Sequence, residues 1–185
     1  MIRVVGGVAK GRKLKGARVS GVRLTSELVR GAIFNILGSL QLEPVRVLDL
    51  YAGSGSLGIE ALSRGARWAD FVEHHPRQCA TIRANLAETN LADIAQVHCI
   101  DVERAIVQLS GKYDLVMMDP PYKMDGLDVI VENVSTSGLF NEGATLVVGH
   151  SKHRPLAPEY SRLVSRGSYR YGDSLVECYR WTAEP

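Results

Sequence analysis

The chain has 185 residues, of which 45% are hydrophobic and 23% are charged, and its formal net charge is +2. This length and composition predict one globular domain and exclude a wholly disordered chain. We expect no membrane-spanning segment, since no apolar run reaches roughly 18 residues, and no signal peptide, since no apolar stretch follows the basic N-terminus. The widely spaced Cys79, Cys99 and Cys178 are typical of reduced thiols in a cytosolic protein and exclude a disulfide scaffold.

The charge is concentrated near the N-terminus. Residues 1–30 contain eight basic residues and one acidic residue, a balance of +7, whereas the remainder has 14 basic and 19 acidic residues, a balance of −5. This division is typical of a protein that binds a polyanion, although a solvated tail shows the same charge run. Glycines between short β-branched stretches favour a hairpin over a tail. The candidate residues for binding the phosphates of a polyanion are Arg3, Lys10, Arg12, Lys13, Lys15, Arg23 and Arg30.

The segment after this hairpin is predicted to be helical. Apolar residues recur at helical spacing over residues 24–40, in one row from Leu28 to Leu40 and a second from Val29 to Leu37. Thr25 or Ser26 can cap the first turn. An ordered basic hairpin leading into a packed helix would make a surface that binds phosphates.

Strand and helix patterns alternate over the rest of the chain. The patterns predict strands over residues 45–50, 69–73, 95–100, 113–118 and 144–149, and helices over residues 56–64, 76–89, 102–109 and 127–135. The alternation then stops, and residues 160–169 and 174–182 read as an antiparallel pair of strands. We therefore predict an α/β fold with a doubly wound, mostly parallel sheet, whose ligands bind beyond the carboxyl ends of the strands.

A glycine-rich loop follows the first of these strands. Gly53, Gly55 and Gly58 fit G-x-G-x-x-G, which by itself also fits a dinucleotide site or a turn without ligand. Asp49, just before the loop, would repel a pyrophosphate but attract the sulfonium and ammonium of S-adenosylmethionine. Glu73 can accept hydrogen bonds from ribose hydroxyls of either cofactor. Asp101 can meet the adenine amino group or cap the following helix.

The fourth strand of the alternating region ends directly in Asp119-Pro120-Pro121-Tyr122. A base amine is a poor nucleophile because its lone pair is delocalised into the ring. The Asp119 carboxylate and the Pro120 carbonyl can accept hydrogen bonds from that amine and stabilise the charge that develops on it. Tyr122 can stack on the base. These four residues, Pro121 included, are therefore the candidate catalytic residues, with either Asp119 or water taking the proton.

The remaining polar residues indicate no second chemistry. The five histidines and three cysteines lack zinc-ligand spacing, so we expect no metal site. No nucleophile elbow is present. Trp68 and Trp181 are expected to be packing residues.

These motifs together resemble the RsmD family of bacterial 16S ribosomal RNA methyltransferases. The resemblance covers residues 3–14, the residues Arg23, Thr25, Val29, Arg30, Phe34 and Asn35, the glycine segment 49–61, Glu73 and residues 119–122. It implies S-adenosylmethionine-dependent methylation of the 2-amino group of one guanine in 16S rRNA. It also implies a Rossmann-like class I methyltransferase fold with seven strands. The implied cofactor-binding residues are Asp49, Tyr51, Ala52, Gly53, Ser54, Gly55, Leu57, Gly58, Glu73 and Asp101.

The resemblance further implies a cytoplasmic, monomeric enzyme whose partner is 16S rRNA within a partly or fully assembled small ribosomal subunit. Residues 1–40 would form a basic RNA-binding extension and residues 41–185 the catalytic domain. Leu24, Leu28 and the segment His74-His75-Pro76 depart from the usual family residues.

Alternative functions are an adenine-N6 or other exocyclic-amine methyltransferase, or a non-catalytic RNA-binding assembly factor. An NAD-dependent oxidoreductase is disfavoured by Asp49 and by the turn after the fourth strand.

Overall fold

A computed structural model describes residues 2–16, 27–41 and 43–184. The N-terminal segment forms the expected hairpin, in which β1 (Ile2–Arg3) pairs antiparallel with β2 (Lys13–Leu14). The first helix, α1, spans Glu27–Ser39. The caps expected at Thr25 and Ser26, and the position of Arg23, lie outside the described residues.

The remaining elements build one sheet with helices between its strands. Its strands are β3 (Arg46–Leu50), β4 (Trp68–Val72), β5 (Ala95–His98), β6 (Tyr113–Met118), β7 (Phe140–Ser151), β8 (Glu159–Tyr160), β9 (Leu163–Tyr171) and β10 (Ser174–Trp181). The helices are α2 (Ser56–Ser63), α3 (Pro76–Glu88), α4 (Val102–Gln108) and α5 (Leu127–Thr136), and a 3₁₀ turn covers Ala92–Ile94. None of the described helices is long and apolar enough to cross a membrane.

The strand order is β5-β4-β3-β6-β7-β10-β9-β8. Strands β3 to β7 run parallel, and β10 lies antiparallel between β7 and β9. This confirms the predicted Rossmann-like methyltransferase fold with its C-terminal antiparallel pair, and adds an eighth strand at the edge. The two-residue β8 pairs with β9 through Tyr160 and Leu163, and a strand this short leaves no alternation in the sequence to detect.

The sheet is covered on both faces. On one face α1, α2 and α3 pack on side chains such as Val47, Phe71 and Met117. On the other face α4 and α5 pack on Leu48, Val116 and their neighbours. Burial of apolar side chains on both faces, at about 25 cal/mol per Å² of apolar surface, holds the parallel strands together and fixes their carboxyl ends at one edge.

The N-terminal hairpin packs on the same core. Ile2, Val4 and Leu14 belong to the cluster beneath α1, α2 and α3. The backbone N–H groups of Val5 and Gly6 donate to the two carboxylate oxygens of Glu60 in α2, over 2.8 and 2.7 Å. The basic side chains are thus attached to the sheet through an ordered backbone. That residues 1–40 act as an RNA-binding unit stays a prediction.

Candidate cofactor and acceptor-base site

The glycine loop joins β3 to α2 through left-handed backbone. Gly55 has a φ of 79° and precedes the first residue of the helix, a conformation that glycine adopts at little cost. Gly58 serves a different purpose, because a Cβ there would lie 2.3 Å from the ring of Phe71 in β4. The Gly58 N–H donates to Asp49 Oδ2 over 2.9 Å. The loop therefore packs closely on the sheet and presents its backbone to the cleft.

Asp49 is a buried carboxylate with an unusual proton affinity. Its side chain is only 1% exposed. The pKa of Asp49 is raised to about 7, mainly by burial and in smaller part by the nearby charges of Asp119 and Glu73, while the hydrogen bond from Gly58 opposes the rise. Three carboxylates thus converge on this loop. A bound cation would relieve their repulsion, whereas a pyrophosphate would increase it.

Glu73 follows β4 and fixes the other side of the cleft. Its Oε2 accepts from the Gly53 N–H over 3.0 Å, and its Oε1 accepts from the His75 N–H over 2.8 Å. The imidazole Nδ1 of His74 lies 3.3 Å from Oε1. Each carboxylate oxygen retains a further lone pair, so Glu73 can also accept hydrogen bonds from a ligand.

A cavity of about 260 Å³ opens between the loops that follow β3, β4, β5 and β6. Its walls include Tyr51, Glu73, Asp101, Pro121 and Met124. Among the described residues, the Asp101 side chain makes no capping hydrogen bond to α4. The cavity therefore brings the residues predicted for ribose and adenine beside the predicted catalytic turn.

The predicted catalytic residues occupy the end of β6. Pro120 is buried, Asp119 and Tyr122 are partly buried, and Pro121 is exposed at the wall of the cavity. The Tyr122 hydroxyl donates to Ser174 Oγ over 2.7 Å. Asp119 Oδ1 lies against Gly149 of β7, where a Cβ would be 2.8 Å away. Sequence reasoning missed Gly149 and Ser174, because neither belongs to a local motif.

The other predicted cofactor residues lie along the same loop. Tyr51 has a φ of 58° and lines the cavity. Ala52, Ser54 and Leu57 are buried. Asn85 of α3 donates to the carbonyl oxygens of both Ser54 and Lys15, each over 2.9 Å. One side chain therefore joins the glycine loop to the end of the basic hairpin.

Most of the predicted RNA-binding residues are exposed, and one is not. Arg3, Lys10, Arg12, Lys13 and Lys15 have exposed side chains on the hairpin. Arg30 is 0% exposed, so the expectation that it contacts phosphate is wrong.

Arg30 has a structural role instead. Its Nε lies 3.6 Å from Glu60 Oε2 in an ion pair with both side chains fully buried. It also donates to the carbonyl oxygen of Arg3. Burial lowers the pKa of Arg30, and Glu60 opposes that change. Arg30 lies three and four positions before the buried Ile33 and Phe34 of α1, and this helical spacing is the sequence signal for burial.

Two basic residues after β7 are paired with acids. Lys152 Nζ lies 2.6 Å from Asp173, and Arg154 lies 2.6 Å from Asp125. Trp181 stacks on Phe140, as expected of a packing residue. Over residues 2–16, 27–41 and 43–184, no group of three or more His, Cys, Asp or Glu is placed to hold a metal ion.

Comparison with known proteins agrees with this geometry. Residues 2–180 match the family described as Conserved hypothetical protein 95. The chain is 33% identical over 147 residues to Ribosomal RNA small subunit methyltransferase D of Escherichia coli (strain K12), covering 80% of this chain and 73% of that protein.

Two solved structures share the fold. The yhhF protein of Escherichia coli superposes with a TM-score of 0.83 at 28% identity, covering 99% of each chain. An RNA methyltransferase from Salinibacter ruber in complex with S-adenosyl-L-homocysteine has a TM-score of 0.67 at 16% identity, covering 88% of this chain and 96% of that one. The chain therefore belongs to the Conserved hypothetical protein 95 family, the RsmD family of S-adenosylmethionine-dependent ribosomal RNA methyltransferases.

Proposed function

We propose that this enzyme methylates the exocyclic 2-amino group of a guanine in 16S rRNA, with S-adenosylmethionine as donor. One observation supports this most directly: Pro121 of the Asp119–Tyr122 turn and the carboxylates Glu73 and Asp101 line one cavity. A hydrogen-bonding turn for a base amine thus adjoins a cleft suited to an adenosyl group. Family membership supplies the ribosomal RNA, and the guanine 2-amino group is the finer part of the proposal.

The donor site is assigned by the chemistry of its residues. Glu73 would accept hydrogen bonds from the ribose hydroxyls, and Asp101 would accept one from the adenine amino group. Asp49 and the loop from Tyr51 to Gly58 would face the charged methionine part. When bound, S-adenosylmethionine supplies a methyl group on a positively charged sulfur, which is a good leaving group.

The acceptor site works by positioning and electrostatics. The Asp119 carboxylate and the Pro120 carbonyl accept hydrogen bonds from the target amine and hold its lone pair toward the donor. The same two acceptors stabilise the positive charge that develops on nitrogen. Tyr122 stacks on the base, a contact worth ~1–3 kcal/mol. Asp119 or water then accepts the proton, and no covalent intermediate with the protein is needed.

The substrate proposed is 16S rRNA in a partly or fully assembled small subunit. The E. coli relative is named for that subunit, and the exposed basic hairpin supports binding to phosphates. Such a substrate places the enzyme in the cytoplasm, where we propose that it acts as a monomer.

The test offers a labelled methyl donor and small subunits lacking the modification, and then identifies the modified nucleoside. We expect N2-methylguanosine in 16S rRNA from the wild-type enzyme. Asp119→Ala and Tyr122→Ala should bind S-adenosylmethionine by calorimetry yet lose methyl transfer. N6-methyladenosine as the product, or full activity in both variants, would contradict the proposal.

A further inference from the structure

The Asp119–Tyr122 turn is held at both ends by the antiparallel half of the sheet. At one end, Asp119 Oδ1 lies against the backbone of Gly149 in β7. At the other end, the Tyr122 hydroxyl donates to Ser174 Oγ over 2.7 Å, across 52 positions of the chain. Strands β7 and β10 therefore contact both polar side chains of the turn.

Ser174 offers a fixed acceptor for this hydrogen bond. It is 1% exposed and is the first residue of β10, paired with Ser151 of β7 on one side and Tyr171 of β9 on the other. The turn between β9 and β10 is bonded to the end of β7, because the Lys152 N–H donates to the Asp173 carbonyl over 3.0 Å. Because strands pair with Ser174 on both sides, its hydroxyl has little freedom to move.

A tyrosine that stacks on a base must hold its ring plane. The first side-chain torsion sets the direction of the ring axis, and the hydrogen bond to Ser174 fixes that direction. The second torsion turns the ring about this axis without moving the hydroxyl oxygen, but a phenolic O–H prefers to lie in the plane of its ring, so the direction of the same hydrogen bond favours one ring plane. We propose that Ser174 is a positioning residue, which sets the plane of the Tyr122 ring against which the target base stacks. This rests on the stacking role given to Tyr122 in the proposed function.

The test is a double-mutant cycle of Ser174→Ala and Tyr122→Phe, assayed by methyl transfer to unmodified small subunits. Each change removes the same hydrogen bond and keeps the ring. Each should therefore lower kcat/KM for the subunit by roughly two- to tenfold. The double variant should be no worse than either single variant, because both changes remove one shared interaction. The KM for S-adenosylmethionine should not change.

The matched control is Ser168→Ala, which removes a strand hydroxyl bonded over 2.8 Å to Glu177 rather than to the turn. It should leave kcat/KM unchanged. Wild-type kcat/KM in Ser174→Ala, or additive losses in the double variant, would overturn the proposal. If the wild-type enzyme methylates another base amine, the guanine assignment fails, while the cycle still tests Ser174.

A separate inference concerns two thiols beside the cofactor cleft. Cys79 lies in the first turn of α3 and Cys99 directly follows β5, and their Sγ atoms are 2.7 Å apart. The Cys79 thiol also donates to the carbonyl oxygen of Glu73 over 3.1 Å. Cys79 is buried and Cys99 is exposed. The cysteines that look scattered in sequence therefore include one close pair.

The two sulfur atoms need to approach by less than ~1 Å to reach the ~2.05 Å of a disulfide bond, and an oxidant can reach the exposed Cys99 from solvent. We infer that the pair is a modification site where a peroxide forms a reversible disulfide. The Cys99 thiol releases its proton, and the thiolate attacks hydrogen peroxide, giving a sulfenic acid and a hydroxide that takes up that proton and leaves as water. The Cys79 sulfur then attacks the Cys99 sulfur and expels the hydroxyl, which leaves as water with the Cys79 proton.

The test treats the full chain with hydrogen peroxide and maps its peptides by mass spectrometry without reduction. We expect a link between Cys79 and Cys99 that dithiothreitol reverses, and an unlinked Cys178, which is buried elsewhere in the core. In Cys79→Ser, Cys99 should proceed to sulfinic acid instead. Sulfinic acid at Cys99 of the wild type with no link, or three thiols still open to alkylation after unfolding, would overturn the inference.

Discussion

At the scale of single residues, the site is dominated by carboxylates with little solvent around them. Asp49 is fully buried beside the charges of Asp119 and Glu73, and its raised pKa follows mainly from burial. A buried carboxylate is costly to ionise, yet it is positioned where a cationic cofactor is proposed to bind. The burial of Asp49 therefore lowers the stability of the unliganded enzyme near neutral pH.

The pKa of Asp49 makes the stability of the free enzyme depend on pH. A carboxyl whose pKa rises from 3.8 to about 7 on folding keeps its proton in the folded state after the unfolded state has lost it. This residue therefore destabilises the fold progressively as pH rises, until pH 7. Relative to wild type, Asp49→Asn should gain roughly 2 kcal/mol in free energy of unfolding between pH 5 and 7.

Urea unfolding at each pH measures that difference. Asparagine can still accept from the Gly58 N–H, so the loop should keep its conformation. A constant difference between the two proteins across this range would show that Asp49 is ionised in the folded state throughout.

Gly149 has a predicted effect on activity rather than on stability. In Gly149→Ala the new Cβ would lie 2.8 Å from Asp119 Oδ1, so the carboxylate must rotate away. We expect kcat for methyl transfer to fall roughly 10- to 100-fold, with unchanged calorimetric affinity for S-adenosylmethionine. Gly138→Ala, where a Cβ meets no atom within 4 Å, is the matched control. Equal kcat in the two variants would refute the steric argument.

At the scale of elements, the N-terminal hairpin is attached to helix α2 through Glu60. This buried carboxylate accepts from the backbone of Val5 and Gly6 and pairs with Arg30 and Arg64. Arg30 in turn links α1 to the hairpin through the Arg3 carbonyl. Three elements far apart in the chain therefore share one buried polar network, which is destabilised strongly when a single member is removed.

We accordingly expect Arg30→Ala to lower the free energy of unfolding by about 3 kcal/mol, because it leaves a buried carboxylate with fewer partners. Arg12→Ala, which removes an exposed cation, should change it by less than about 0.5 kcal/mol. Chemical denaturation of both variants makes the comparison. Equal stabilities would show that Arg30 is not part of a structural network.

At the scale of the whole molecule, the near-neutral total charge conceals two different surfaces. The end of the basic hairpin lies next to the glycine loop, since Asn85 donates to the backbone carbonyls of both Lys15 and Ser54. The acids of the site lie in the cleft beyond them. Phosphates and a cationic cofactor can therefore bind side by side without competing for the same charges.

Neutralising Arg12, Lys13 and Lys15 together should weaken RNA binding and flatten its dependence on salt. For each phosphate that the hairpin no longer neutralises, the slope of log K against log salt should fall by ~0.7–0.9. Filter binding of 16S rRNA at several salt concentrations measures this slope. Arg104 in α4 and Arg162 beside Trp181, both exposed on the face of the sheet that α4 and α5 cover, provide control substitutions. The same slope in both sets would contradict a role for the hairpin.

The ends of the strands show where the local sequence pattern is sufficient to predict an element. The pattern predicts both ends of strand β6 correctly, because the apolar run stops shortly before two prolines. Strand β7 begins four residues before the prediction, since Phe140 already pairs with Tyr113 of β6. Asn141, Glu142 and Gly143 interrupt the apolar run at an irregularity in the register of this pair. Strand β9 is displaced toward Tyr171, because residues 161 and 162 turn the chain between β8 and β9.

The sequence by itself determined what is encoded locally: alternating strands and helices, the glycine spacing after β3, and the turn from Asp119 to Tyr122. These depend on neighbours within a few positions, so the chain order reveals them. Only the tertiary structure decided that Arg30 is buried against Glu60, that Gly149 and Ser174 contact the turn from Asp119 to Tyr122, and that Cys79 lies beside Cys99. Each of those contacts joins residues at least 20 positions apart, and folding alone brings them together.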